Sequence, residues 1–115
     1  MNCMMQEKRE IVRFSEESVE YTNNLVTKLY EKEYFGFRED AKKYVTGLTE
    51  YIEQYISILP KHKAPDYFSK YGENMQYVSY PINNRTTWYF FFRQENGVYV
   101  ICYITNNHFE GQYIR

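Results

Sequence analysis

Two kinds of hydrophobic pattern divide the chain. In the first half apolar positions recur every three or four residues, and in the second they alternate or run together. The stretch "EIVRFS" sets Ile11 and Arg13 against Val12 and Phe14, the alternation of a short strand. Ser15 is a good helix N-cap, and Glu16 and Glu17 follow where negative charge favours a helix start. Val19, Thr22, Val26, Leu29 and Tyr30 then mark a helical stripe to about Glu33, which "YFGF" breaks at Gly36. A second helix is predicted to begin near Arg38-Glu39-Asp40. Its apolar positions, Ala41, Tyr44, Val45, Leu48, Tyr51, Ile52, Tyr55 and Leu59, are spaced by three and four throughout. Pro60 stops it, so the pair reads as an antiparallel helical hairpin.

After Pro60 the pattern changes. "KHKAPDYFSKYGEN" reads as a polar connection, and "MQYVSYPI" as a strand up to Pro81. "TTWYFFFRQ" places five aromatics in a row, so both of its faces should be at least partly covered. Asn96-Gly97 suits a tight type I′ hairpin turn. Beyond it, strict alternation puts Val98, Val100, Cys102 and Ile104 on one face and Tyr99, Ile101, Tyr103 and Thr105 on the other. The fold class these elements predict is α+β, a helical hairpin packed on one face of a small antiparallel sheet in the order β-α-α-β-β-β. The opposite face, rich in Tyr and Phe, is left for solvent or a partner. A bare patch of that kind predicts self-association when no partner is present.

Composition narrows the class. A chain of 115 residues supports one core, with residues 1–8 as a loose leader and 9–115 as a single domain. Met1, Met4 and Met5 are all eligible as the starting residue. Aromatics make up 20% of the chain and 14 of them are Tyr, so several rings should sit at the edge of the core where their hydroxyls find partners. Cys3 and Cys102 lie far apart and no disulfide is expected between them; no metal-type spacing occurs, and no metal or cofactor is expected. No apolar run approaches a membrane span and the N-terminus has no signal-like core, so no membrane partner is expected and the cytoplasm is the default. Charge is uneven: residues 1–60 carry eight Lys/Arg against eleven Asp/Glu, and residues 61–115 six against four. Any attraction for a polyanion therefore belongs to the second half, and it is modest.

The ending "TTWYFFFRQENGVYVICYITNNHFEGQYI", with the element order before it, resembles the toxins of bacterial RelE/ParE-type toxin–antitoxin systems. The resemblance covers about residues 9–115, its specificity lies in the C-terminal 30 residues, and the ending is ParE-like. It implies a growth-inhibiting, plasmid-stabilising toxin neutralised by a cognate antitoxin laid across its sheet or helical pair. ParE-like members inhibit DNA gyrase, whereas RelE-like members cleave messenger RNA, usually in the ribosome. RNA-cleaving relatives place an Arg in the strand after the turn, where this chain has Thr87, Trp88 and Tyr89, and they tend to be strongly basic. The expectation is therefore gyrase binding. The alternative is a metal-independent, ribosome-dependent endoribonuclease, and a third reading is a non-catalytic interaction protein on the toxin fold.

RNA cleavage through the 2′-hydroxyl needs a base, cationic help at the phosphate and a donor for the leaving oxygen. If the chain is a nuclease, His108 would be the acid or base, and Arg93, sharing a face with Tyr89 and Phe91, the phosphate clamp. A lone His at a strand end is more often an ordinary hydrogen-bonding cap. Arg85, and Lys61 and Lys63 flanking His62, are candidate binding residues that equally suit solvated turns. Tyr113 in the tail is placed to stack on a base, though with so many tyrosines chance placement competes. Trp88, Phe90, Phe92, Leu48, Ile52 and Tyr55 read as core.

Overall fold

The computed structural model describes residues 11–32 and 36–114; the expected leader and Cys3 lie outside them. Strand β1 (Ile11–Phe14) leads into α1 (Glu16–Glu31), followed by α2 (Arg38–Tyr55), which ends in a 3-10 turn at Ile56–Ile58. Then come β2 (His62–Lys63), a 3-10 helix at Asp66–Tyr71, β3 (Gln76–Pro81), β4 (Thr87–Glu95), β5 (Val98–Asn106) and the short α3 (Asn107–Glu110). The result is an α+β fold with a five-stranded sheet in the order β1-β5-β4-β3-β2. Among the described residues no helix is long and apolar enough to cross a membrane.

The sheet is mixed, which corrects the expected antiparallel one. β1 pairs parallel to β5, with Ile11 opposite Val98 and Phe14 opposite Ile101, while the other neighbours are antiparallel. Local alternation predicts a strand but carries no information about the direction of its partner. The Ser15 N–H continues the ladder by donating to the Ile101 carbonyl at 3.0 Å, and Ser15 Oγ then accepts from the Ser18 N–H at 3.1 Å, the expected N-cap. Pairing thus ends where helix begins, and α1 packs along β5. The buried residues of α1 are Ser18, Leu25, Val26 and Leu29, whereas Val19 and Tyr30 of the predicted stripe are exposed. Helix α2 follows its pattern, burying Ala41, Val45, Leu48 and Ile52 against Val78, Trp88, Phe90 and Phe92. Tyr55 leaves the predicted core: it is 37% exposed and lies against Tyr51.

A β-bulge redraws the faces of β5. Phe91 stands opposite Tyr103 and Phe92 opposite Ile101, so Cys102 is the extra residue. Tyr99, Ile101 and Ile104 consequently join the helix-side core, while Val100, Cys102 and Tyr103 lie on the outer side. Strict alternation had put Ile104 with Val100 and Tyr103 with Ile101; one unpaired residue reverses both.

The outer face is not bare, which is the second correction. The segment read as a polar connection supplies β2, paired through His62–Tyr77 and Lys63–Gln76, and then folds its 3-10 helix back over the sheet. Phe68 from that helix is fully buried and stacks on Phe91 at 4.2 Å, with Met75 and Cys102 beside them. Tyr67, Tyr71, Tyr103 and Ile114 close over this second core. A bare aromatic face is therefore no ground for self-association.

Candidate functional site

The terminal hairpin turns as its sequence predicts: Asn96 and Gly97 both take positive φ, 51° and 79°. At its other end the chain closes through the two asparagines of "TNNH". Asn106 Oδ1 accepts from the Phe109 N–H at 2.9 Å and caps α3. Asn107 clamps the start of β4, its Oδ1 accepting from the Thr87 N–H and its Nδ2 donating to the Arg85 carbonyl, both at 2.9 Å. These roles were missed by sequence reasoning, although an Asn directly ahead of a short helical run is ordinary cap chemistry.

His108 is thereby held at the β3–β4 turn. Its Nε2 lies 3.0 Å from the Thr86 hydroxyl, on the exposed surface, and it forms no ion pair among the described residues. Arg85 belongs to the same turn, where Asn83 Oδ1 accepts from the Arg85 and Thr86 N–H groups at 2.8 and 2.9 Å. Arg93 lies toward the opposite end of β4, where its Nε donates to Glu95 and its Nη1 to Cys102 Sγ at 3.3 Å. The hydrogen bond that Arg93 donates to Glu95, and then the neighbouring Cys102, raise the Arg93 pKa further. Seven residue steps of extended strand separate Thr86 from Arg93, roughly 23 Å. The acid–base candidate and the phosphate-clamp candidate are not brought together; of the candidate cations, Arg85 lies in the turn whose Thr86 bonds His108.

Lys61 is occupied structurally. Its Nζ donates to the carbonyls of Ile56, Ser57 and Leu59 at 2.7, 3.2 and 2.9 Å, satisfying the end of the α2 extension where a cation is favoured. Lys63 is exposed on β2, at the edge of a surface hollow of about 430 Å³ shared with Asp66, Ser69, Asn74 and Gln76. His62 packs its ring near Tyr77, 5.2 Å between centroids.

Tyr113 belongs to the feature that the individual candidates did not foreshadow, a tyrosine layer over the outer sheet. Tyr113 stacks on Tyr67 at 3.6 Å and Tyr71 on Tyr103 at 3.7 Å, and Tyr21 from α1 meets both Tyr71 and Tyr103 edge-on. Lys70 Nζ lies 3.9 Å from the Tyr67 ring centroid. The Tyr103 hydroxyl donates to Glu110 Oε1 at 2.6 Å; burial first, then its bonds with Glu110 and Tyr71, hold its pKa far above the ordinary phenol value. Tyr77 and Tyr89 meet edge-on nearer the His108 end. The layer offers flat apolar rings with hydroxyl rims and one lysine, chemistry suited to gripping a surface. Its signal in the sequence was the tyrosine count, which gives amount but not place.

Comparison with protein-family models, with curated proteins and with solved structures finds no match to this chain.

Proposed function

We propose that this chain is a toxin of the RelE/ParE type, held inactive by a cognate antitoxin, and that it blocks growth by binding DNA gyrase. The resemblance of its C-terminal 30 residues suggests the family, and the helical pair on one sheet face with a closing hairpin and tail agrees with what that resemblance implies. The observation that carries the binding reading over the nuclease reading is the separation of His108 from Arg93. Each sits at its own end of β4, one on Thr86 and the other on Glu95 and Cys102. Acid–base catalysis at a phosphate needs both groups within hydrogen-bonding reach of one reacting centre. A binding interface needs no such convergence, and tyrosines are frequent anchors of interfaces.

The test is a supercoiling assay with purified DNA gyrase, with and without the antitoxin, beside a translation assay that scores cleavage of messenger RNA. Inhibition of gyrase relieved by the antitoxin, with messenger left intact, supports the proposal. Messenger cleavage with gyrase unaffected overturns it. Arg85→Ala belongs in that experiment, because Arg85 lies beside Thr86, the hydrogen-bond partner of His108.

A further inference from the structure

The solvent face of α2 carries features that packing within the chain does not explain. Gly47 sits mid-helix, exposed, with open space where a Cβ would stand, although glycine is among the poorest residues for a helix interior. Around it lies a shallow dent of about 310 Å³ edged by Glu39, Lys42, Lys43, Thr46 and Glu50. The exposed charges just before Gly47 are Lys42 and Lys43, and those just after it are Glu50 and Glu53. None of these four joins an ion pair among the described residues. Just beyond the two ends of α2 stand the two most exposed large hydrophobic side chains among the described residues, Phe37 at 73% and Ile58 at 76%. They stand about 15 Å to one side of Gly47 and about 16 Å to the other at the helical rise.

We propose that this face docks a second copy of the chain, the two α2 helices crossing antiparallel at Gly47 about a twofold axis. In that arrangement a residue a given distance before the crossing meets one about the same distance after it, to within one residue. Lys43 then lies against the second copy's Glu50, Lys42 against its Glu53, and Phe37 falls level with its Ile58. The twofold axis repeats each contact. A parallel crossing would set lysine on lysine and glutamate on glutamate. Gly47 lets the two backbones approach closely, which a side chain at the crossing would prevent. Solvent-exposed ion pairs contribute little singly and are screened by salt, so the dimer is weak and salt-sensitive. Docking through α2 leaves the tyrosine layer on the opposite side of the sheet uncovered in both copies.

Sedimentation velocity on the full chain, from about 10 µM to about 1 mM and in roughly 50 and 500 mM salt, tests this directly. The parent should shift from monomer toward dimer with concentration and back with salt. K42E/K43E and E50K/E53K should each weaken association by ~10-fold or more, and an equimolar mixture of the two should associate more tightly than either alone. Gly47→Gln should raise the thermal midpoint, because it improves the helix, yet remain monomeric, which separates loss of docking from loss of folding. A parent that stays monomeric throughout overturns the proposal. So does a dimer indifferent to these variants, or charge-reversed chains that fail to recover association on mixing.

Discussion

Tyr103 donates to Glu110 from a half-buried position, and burial alone already disfavours its phenolate. Tyr44, Tyr51 and Tyr89 are shifted the same way, with burial the largest cause in each. In the unfolded chain these groups ionise near the ordinary value of 10.0, whereas in the folded chain they keep their protons to higher pH. Above that value the folded state therefore binds more protons than the unfolded one, and stability falls as pH rises. Their contribution is fully present below pH 10 and is lost above it. A titration that follows phenolate absorbance and circular dichroism together should show the last phenolates forming only as structure is lost; complete phenolate formation well before any loss of structure would show these hydroxyls to be freely accessible. Cys102 illustrates the same physics in a thiol: burial pushes its pKa up, and Arg93 only partly offsets this. Alkylation of the native protein at neutral pH, read by peptide mass mapping, should spare Cys102 until denaturant is added. Rapid native labelling would contradict its burial.

At the scale of elements, the 3-10 helix Asp66–Tyr71 does more than join helix to strand. It carries Phe68 onto Phe91 and so completes the second core. Phe68→Ala should cost about 3–5 kcal/mol in urea unfolding, as expected for a buried Phe truncated to Ala; a loss under about 1 kcal/mol would mean the outer face does not depend on this plug. The tail is built into the same layer through Glu110, Tyr113 and Ile114. Removing residues 109–115 should therefore lower stability, so on the proposed toxin reading a loss of growth inhibition on truncation would not locate an interface. Tyr113→Ala is the cleaner probe, since Tyr113 is 37% exposed. Its urea midpoint should fall less than that of the truncated chain while, on the proposed reading, growth inhibition weakens; unchanged inhibition would remove Tyr113 from the contact surface. These elements also show where legibility ended. Helix α2, its stop before Pro60, the Ser15 cap and the Asn96-Gly97 turn follow from local spacing and turn chemistry. A two-residue strand has no period to detect, a plug formed by Phe68 alone leaves its segment looking polar, and the Cys102 bulge breaks the alternation used to assign faces. Strand direction in β1 is a tertiary property. For the candidate residues the limit was distance: His108 and Arg93 each lie where strand ends were expected, but their separation appears only once β4 runs unbroken between them.

For the whole molecule, the sheet divides two surfaces of different character. One holds α1 and α2, whose described residues carry eight Asp/Glu against four Lys/Arg; the other holds the tyrosine layer. On the proposed reading the growth-blocking contact is spread over a surface, so few single truncations should abolish it. A catalytic centre behaves differently, because loss of one positioned acid–base group typically costs ~100- to 10,000-fold in rate. The measurement that separates the two most directly is induction of the chain without its antitoxin, in parent and His108→Ala forms, scoring growth, DNA breaks and messenger integrity in the same cultures. The binding reading predicts growth arrest with DNA breaks and intact messenger, and arrest only partly relieved in His108→Ala. Messenger cleavage in the parent that disappears in His108→Ala, with growth fully restored, would contradict it.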